Sequence, residues 1–438
     1  MTGAALLVKR VTWLVTPCLL LAAEVQTAVL VDTDVVHQTI EGFGASSAFF
    51  SEYLSDEDAE FLFSKETGIG LSLLRVSIAY DAPVTAELET AKKAQARGAR
   101  VVAASWTPKP EWKTNRATHA LENGQLETQY YPAYADFLAD FAEHMRDEGV
   151  PLVALTPQNE PDYPAAWDGC VWTVEELVTF IGQHLGPELA RRKLDVGILA
   201  PDTASFWAAR QFFAALLSDP NAKKYLAGLS THPYGRLQFG TWLTHERQGL
   251  PLWQTEFSQE GVGAPADPTM TSALAMARVL HEHLTELSVS AWNYFNLTAV
   301  SAHYQNDDKR QNPALIQDGV RFKRAYVLGN FSKFVRPGFK RVKTTPEPAP
   351  NVLAVAFKDE GRLVIVAVNG NSKPTNQSFR ILGKLGGVFD SAVPWVTSDE
   401  YSLAAQPPVS IRGQSFSYNL LPRSVTSFVI DVLAPSGS

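Results

Sequence analysis

Short apolar runs alternate with helix-period stretches along the chain from about residue 40 to 336. The runs predict strands at 40–45, 73–78, 101–105, 152–156, 196–200, 228–231, 252–255 and 290–294. Between them, apolar spacing of three and four residues predicts helices over 132–148, 174–185, 272–287 and 322–334. Eight strands alternating with helices over roughly 300 residues fit a (β/α)8 TIM barrel. The structural alternative is a doubly wound open sheet, which usually carries a glycine-rich phosphate turn after its first strand. Gly42-Phe43-Gly44 lacks the third glycine of that turn, so the motif fails.

The pattern changes near Pro337-Gly338. Pro346, Pro348 and Pro350 follow, and then β-branched or alternating runs at 352–357, 363–368, 379–382, 393–396 and 425–432. Asp359-Glu360-Gly361 and Asn369-Gly370-Asn371 punctuate them as turns. This reads as an all-β unit, a sandwich packed on the barrel. The expected division is a leader over 1–28, a catalytic barrel over 29–336 and a side domain over 337–438, with the strand near 29–36 free to join the sandwich. Lys9-Arg10, the apolar run 11–23 and the small residues up to Ala28 give the leader the form of a secretory signal. That run is short for a membrane span.

Composition narrows the class. The 438-residue chain is 45% hydrophobic and carries 38 basic against 46 acidic residues, net −8. A sizeable core follows, and a dominant nucleic-acid surface is unfavoured. Two cysteines, Cys18 and Cys170, exclude a disulfide scaffold, and Cys18 falls in the leader. Aromatic residues reach 11%, enough to serve both core packing and the faces of sugar rings.

In a TIM barrel the reactive side chains sit at the C-terminal ends of strands. Two such ends carry glutamates: Pro157-Gln158-Asn159-Glu160-Pro161 after the fourth strand and Trp253-Gln254-Thr255-Glu256-Phe257-Ser258 at the seventh. These strands face each other across the mouth, so the pair can converge. One such Glu alone is often a solvated loop residue; two on facing strands fit a glycosidase acid/base and nucleophile. Glu160 is expected to rest protonated and Glu256 ionised. Asn159 is placed to meet a sugar 2-hydroxyl, and Arg75, at the second strand, to pair with Glu256. Trp106, Tyr163, Tyr234 and Trp292, all near strand ends, are candidate sugar-stacking aromatics, with loop packing as the plainer reading. Ser258, just beyond Glu256, is a candidate substrate contact. His232 ends the sixth strand and can orient a carboxylate or pack.

Other chemistries fare worse. His281-Glu282-His283 lies on a predicted helix, where residues two apart do not share a face, so joint metal ligation is disfavoured. Gly44-Ala45-Ser46-Ser47-Ala48 lacks the last glycine of a nucleophile elbow. Cys170 reads as a packed thiol and Asp307-Asp308-Lys309-Arg310 as a solvated charge run. No metal or organic cofactor is expected.

The chain resembles glycoside hydrolase family 30 and, within it, the bacterial glucuronoxylanases. The resemblance rests on Ile40-Glu41-Gly42-Phe43-Gly44, Leu74-Arg75-Val76, Ser105-Trp106-Thr107-Pro108, Pro157-Gln158-Asn159-Glu160-Pro161-Asp162-Tyr163 and Trp253-Gln254-Thr255-Glu256. The runs 331–338, 364–369 and 424–429 match the family's passage into the side domain and its sandwich strands. It implies a (β/α)8 barrel with an attached β-sandwich and retaining hydrolysis, with Glu160 as acid/base and Glu256 as nucleophile. Glucuronoxylanases of this type are expected to bind a glucuronic acid branch through an arginine just after the eighth strand. Here that stretch reads Ala291-Trp292-Asn293-Tyr294-Phe295-Asn296-Leu297-Thr298, without one. The expectation is therefore a secreted, monomeric endo-xylanase that acts on β-1,4-xylan without dependence on glucuronate, with neither nucleic acid nor membrane as partner. The alternatives are another β-linked glycan (β-1,6-glucan, β-1,6-galactan or a glucosyl lipid) and a non-catalytic carbohydrate-binding protein. Sequons at Asn296, Asn330 and Asn376 matter only in a eukaryotic host.

Overall fold

The computed structural model describes residues 27–49, 54–81, 85–234, 247–259, 267–300 and 314–433. Residues 1–26 of the expected leader, with Cys18, and the run Asp307-Asp308-Lys309-Arg310 lie outside the described residues. Among the described residues no helix is long and apolar enough to cross a membrane.

Strand β1 (Val29–Thr39) belongs to the second sheet. Strands β2 (Gly42–Ser46), β3 (Leu73–Ile78), β4 (Arg100–Ser105), β5 (Leu152–Thr156), β6 (Gly197–Thr203), β7 (Leu226–Thr231), β8 (Leu252–Phe257) and β9 (Ala291–Phe295) form a closed parallel barrel. Closure is made by β9 against β2, in register from Gly42 opposite Ala291 to Ser46 opposite Phe295. The two glycines of β2 are there for close approach. A Cβ at Gly44 would collide with the Leu73 carbonyl and the Asn293 side chain, and Gly42 has φ 143°. Leu73, Val102, Ala154, Leu199, Trp253 and Ala291 plug the floor of the barrel as one apolar cluster. Polar side chains, Arg75 and Thr255 among them, begin above that floor.

The expected strands are all present, with shifts of one to four residues at several ends. β6 runs past Ala200 to Thr203, and β8 past Thr255 to Phe257, which brings Asp202 and Glu256 into the sheet itself. The helix over Tyr131–Asp147 turns Tyr134, Leu138, Ala142 and Met145 inward at helical spacing. The helix expected to end at Leu185 does not. It starts from a Thr173/Glu176 capping box, widens into a π turn at Ile181–Leu185 and continues to Arg191. Gly186-Pro187 reads as a stop, yet the missing Cβ of Gly186 is what lets this segment lie against the Tyr225 ring.

The second unit is a ten-stranded sheet whose path runs through β1. β1 pairs antiparallel with Lys340–Thr344 and parallel with Thr375–Leu382. The sheet curls over its own core in the manner of a sandwich. Phe379 and Phe416, from one half, stack at 4.7 Å, and Phe379 meets Phe428, from the other, at 4.8 Å. Lys340–Thr344 and Ser415–Leu420 are strands that the apolar pattern did not predict, because Lys and Ser occupy most of their outward positions.

Helices Met270–Thr285 and Lys323–Ser332 join the barrel to this sheet. Asn330 donates to the Trp395 carbonyl at 2.9 Å and accepts, at its own carbonyl, from Ser427 Oγ at 2.6 Å. Two of the sequons are closed in this fold, since Asn296 and Asn330 are both fully buried. His281 and His283 face different partners, the Ala354 carbonyl and the Trp292 indole, so they form no common ligand set.

Candidate active site

Each reactive side chain sits where a barrel strand ends. The loop after β5 turns sharply so that Glu160 adopts φ 49°, a left-handed backbone rare outside glycine. Main-chain bonds to both neighbouring strands hold it there. Asn159 N donates to the Ser105 carbonyl at 2.7 Å and Glu160 N to the Asp202 carbonyl at 2.9 Å. Asp202 is itself left-handed, with φ 66°, and His232 N donates to the Thr203 carbonyl at 2.7 Å. Two strained residues side by side, fixed by hydrogen bonds across three strands, mark a preorganised site.

Glu160 and Glu256 converge as expected. One carboxylate oxygen of each, with a ring nitrogen of His232, all lie within 4.8 Å of one another. Arg75 Nη1 donates to Glu256 Oε2 at 2.7 Å. Its Nη2 donates to Asn159 Oδ1 at 2.7 Å and to Asp202 Oδ2 at 3.1 Å. Tyr234 Oη donates to Glu256 Oε1 at 3.0 Å and accepts from Ser258 N at 2.8 Å, so both nucleophile-side oxygens are held. His232 Nδ1 lies 3.1 Å from Glu160 Oε1, and Nε2 lies 3.5 Å from Asp202 Oδ2. Trp106 roofs the Arg75 guanidinium at 4.6 Å and takes the edge of Phe49 at 5.0 Å.

The electrostatics divide the acids. Burial pushes the Glu160 carboxyl up, and the nearby Glu256 adds to this against the opposing pull of His232. Asp202 is also buried, but His232 and Arg75 outweigh that and hold it down at about 2. Burial works against a charged His232, yet Glu256 and Asp202 raise it to about 10. The Glu160, His232 and Glu256 group has metal-like spacing, and each member already has a partner in the pocket: Arg75 and Tyr234 on Glu256, and His232 on Glu160.

Of the expected site residues, Arg75, Trp106, Asn159, Glu160, His232, Tyr234, Glu256 and Ser258 come together. Tyr163 lies on the rim, 42% exposed, against Trp167 at 5.6 Å. Trp292 is a correction. It is fully buried among Phe257 and Tyr294 on the outer side of the barrel wall and donates to His283 Nδ1 at 3.0 Å. Strand alternation sends it toward helix Met270–Thr285, while its neighbour Ala291 points to the barrel interior. The residue that sequence reasoning missed is Asp202. Its signal was an acid directly after the apolar run Ile198-Leu199-Ala200-Pro201, the same strand-end rule that found the glutamates.

Comparisons with known proteins agree with this geometry. A family model described as "Glycosyl hydrolase family 30 TIM-barrel domain" matches residues 71–260. The chain is 30% identical over 419 residues to glucuronoxylanase XynC of Bacillus subtilis (strain 168), covering 94% of each chain. It is 26% identical over 313 residues to the lysosomal acid glucosylceramidase of Mus musculus, covering 65% of this chain and 59% of that one. Among solved structures, a family 30 subfamily 8 xylanase from Clostridium acetobutylicum superposes with a TM-score of 0.80 at 32% identity, covering 92% of this chain and all of the other.

Proposed function

Since the chain belongs to glycosyl hydrolase family 30, we propose that it is a secreted, retaining endo-hydrolase of β-1,4-xylan that works without a glucuronic acid branch. The observation that carries the chemistry is the approach of Glu160 and Glu256 to within 4.8 Å, oxygen to oxygen. Retaining enzymes hold the pair about 5–5.5 Å apart, whereas inverting ones leave about 6.5–9.5 Å for a water.

In the first step the Glu256 carboxylate attacks the anomeric carbon and the glycosidic C–O bond breaks. Glu160 gives its proton to the departing oxygen, for which its raised proton affinity suits it. In the second step Glu160, now charged, takes a proton from water, and the resulting hydroxide displaces Glu256 from the sugar. His232 meets the new charge on Glu160 at 3.1 Å. Asn159 gives its amide oxygen to Arg75 and keeps its NH2 for the sugar 2-hydroxyl. Hydrogen bonds to that hydroxyl strengthen in the transition state.

The xylan assignment draws on the glucuronoxylanase and xylanase relatives. Independence from glucuronate draws on the stretch after β9. Asn296 there is buried and uncharged. The next described arginines are engaged, Arg321 with Glu57 at 2.8 Å and Arg324 with Tyr294 Oη at 2.7 Å. A branch carboxylate thus finds no free bidentate partner among the described residues of that stretch. Secretion is supported by the form of residues 1–28.

The test is reducing-end release with product sizing on glucuronoxylan, arabinoxylan, linear xylo-oligosaccharides, β-1,6-glucan and β-1,6-galactan. The anomer first released is read by NMR. Comparable cleavage of branched and linear xylans with a β-anomer first supports the reading. A strong preference for glucuronoxylan overturns the branch independence, and cleavage of a β-1,6 polymer alone overturns the substrate.

A further inference from the structure

Lys113 is far from a surface lysine. It is fully buried, and its Nζ lies 3.1 Å from Thr107 Oγ1, 2.9 Å from the Thr118 carbonyl, 2.8 Å from the His119 carbonyl and 2.6 Å from the Gly169 carbonyl. An ammonium has three N–H donors, so these four oxygens use all of them. Three belong to the loop after β4; the fourth belongs to the loop after β5, which runs from Pro157 through Glu160 to Thr173.

We propose that Lys113 is a positioning residue that locks these two loops together and thereby fixes Tyr163 and Trp167 as a stacking platform for the sugar chain beyond Glu160. The proposal rests on the reading of the protein as a polysaccharide hydrolase.

Other bonds also join the loops. Gln158 Nε2 donates to the Trp106 carbonyl at 2.6 Å near their bases, and farther out three main-chain bonds run from Ala120 N to the Ala165 carbonyl, Gly169 N to the Thr118 carbonyl and Val171 N to the Gly124 carbonyl, at 2.8, 3.0 and 3.0 Å. The seam is tight at Gly169, where a Cβ would meet Ala165 Cβ at 3.1 Å and Ala120 Cβ at 3.2 Å, while Leu126, Cys170 and Trp172 behind it belong to the core. A charged donor on three carbonyls adds direction to that packing, since hydrogen bonds to an ionised group are about twice as strong as neutral ones.

What the seam supports is the rim. Tyr163 N donates to the Glu160 carbonyl at 3.1 Å, which ties the platform directly to the acid. Tyr163 and Trp167 are 42% and 37% exposed, with ring centroids 5.6 Å apart at 32°. Large exposed aromatics on a loop that has neither helix nor strand of its own are suited to the CH faces of sugar rings. Glu160 protonates the departing oxygen, so the platform serves the leaving-group side.

The experiment pairs K113M, which keeps the chain length and removes the charge, with W167A, which keeps the clamp and removes the platform. Hydrogen exchange of the unliganded protein is read at Ala120, Gly169 and Val171, against helix Tyr131–Asp147. KM is measured on xylan and on an aryl xylobioside too short to reach the platform. K113M is expected to speed exchange at the seam alone and to raise KM about tenfold on xylan, the loss of about one aromatic stacking contact, and less than twofold on the short substrate. W167A is expected to raise KM on xylan similarly with the seam still protected. Exchange that rises equally in the helix, or two KM values that move together, overturns the proposal. If K113M does not fold, an unchanged KM on xylan in W167A overturns it. A wild type that cleaves no glycan refutes the functional reading, and seam exchange in K113M then decides the clamp by itself.

Discussion

Asp202 Oδ2 accepts from Arg75 Nη2 at 3.1 Å inside the barrel, with both side chains buried. The same oxygen lies 3.5 Å from His232 Nε2, so one carboxylate stands between the two cations of the site. Two cations and three acids thus share the pocket, and a buried cluster is least costly when its charges balance. Burial and the nearby Glu256 raise the proton affinity of Glu160, the direction that favours such a balance.

His232 should give the fold a pH-dependent share of its stability. Its proton affinity is raised from 6.5 to about 10 in the folded state. A raised value means that the stabilisation is fully present below pH 6.5 and is lost as pH climbs toward 10. His232→Gln should therefore lower Tm most at pH 6, and the gap to wild type should narrow steadily by pH 10. Thermal melts of both proteins across that range check this; a gap that stays constant contradicts it.

Glu160→Ala should separate substrates by leaving group. A natural xylan needs a proton delivered to a poor leaving oxygen, so kcat/KM should fall by roughly two to four orders of magnitude. A dinitrophenyl xylobioside leaves unaided, and its glycosylation rate should fall far less. Glu256→Gln should lose both by roughly four orders of magnitude or more, because no covalent intermediate forms. Single-turnover rates on the two substrates make the comparison. Equal losses on both in Glu160→Ala would remove it from the acid role.

Much of this site was legible in the sequence because it obeys one rule, that barrel chemistry gathers at strand ends. Glu160, Glu256, Arg75 and His232 were found that way. Asp202 is not found that way, because the predicted strand stops at Ala200, while the strand carries on through Pro201 into a left-handed residue. Trp292 failed for the opposite reason. Its place at a strand was right, but the mouth or the wall is decided by strand alternation, and the one polar residue of Ala291–Phe295, Asn293, sets a phase that puts Trp292 on the opposite face. Lys113 carried no signal, since a lysine in a loop reads as solvated until carbonyls from a second loop close around it.

The correction at Trp292 has its own test. Trp292→Phe removes an indole N–H from His283 Nδ1 and leaves that acceptor buried, at a cost of about 1–3 kcal/mol. Urea unfolding should show that loss. KM on xylan should not change, because the ring lies outside the barrel wall, against Phe257 and Tyr294. A raised KM with unchanged stability would return Trp292 to the substrate.

Asp202→Asn tests the balance of charge directly. Removing one member of a buried ion pair typically costs about 3–5 kcal/mol, since the partner charge is left unpaired. Here two cations each lose one acidic neighbour, while Arg75 keeps Glu256 at 2.7 Å and His232 keeps Glu160 at 3.1 Å, so the lower end of that range is expected. The wild-type advantage also has a direction in pH. Burial opposes the charged form of Asp202, but His232 and Arg75 hold it at about 2, below its ordinary 3.8. A lowered value means the stabilisation is present above pH 3.8 and is lost as pH falls toward 2. Urea midpoints of wild type and variant should thus differ fully at pH 6 and approach each other between pH 4 and pH 2.5. If the difference at pH 6 persists unchanged down that range, Asp202 is not the ionised bridge between the two cations.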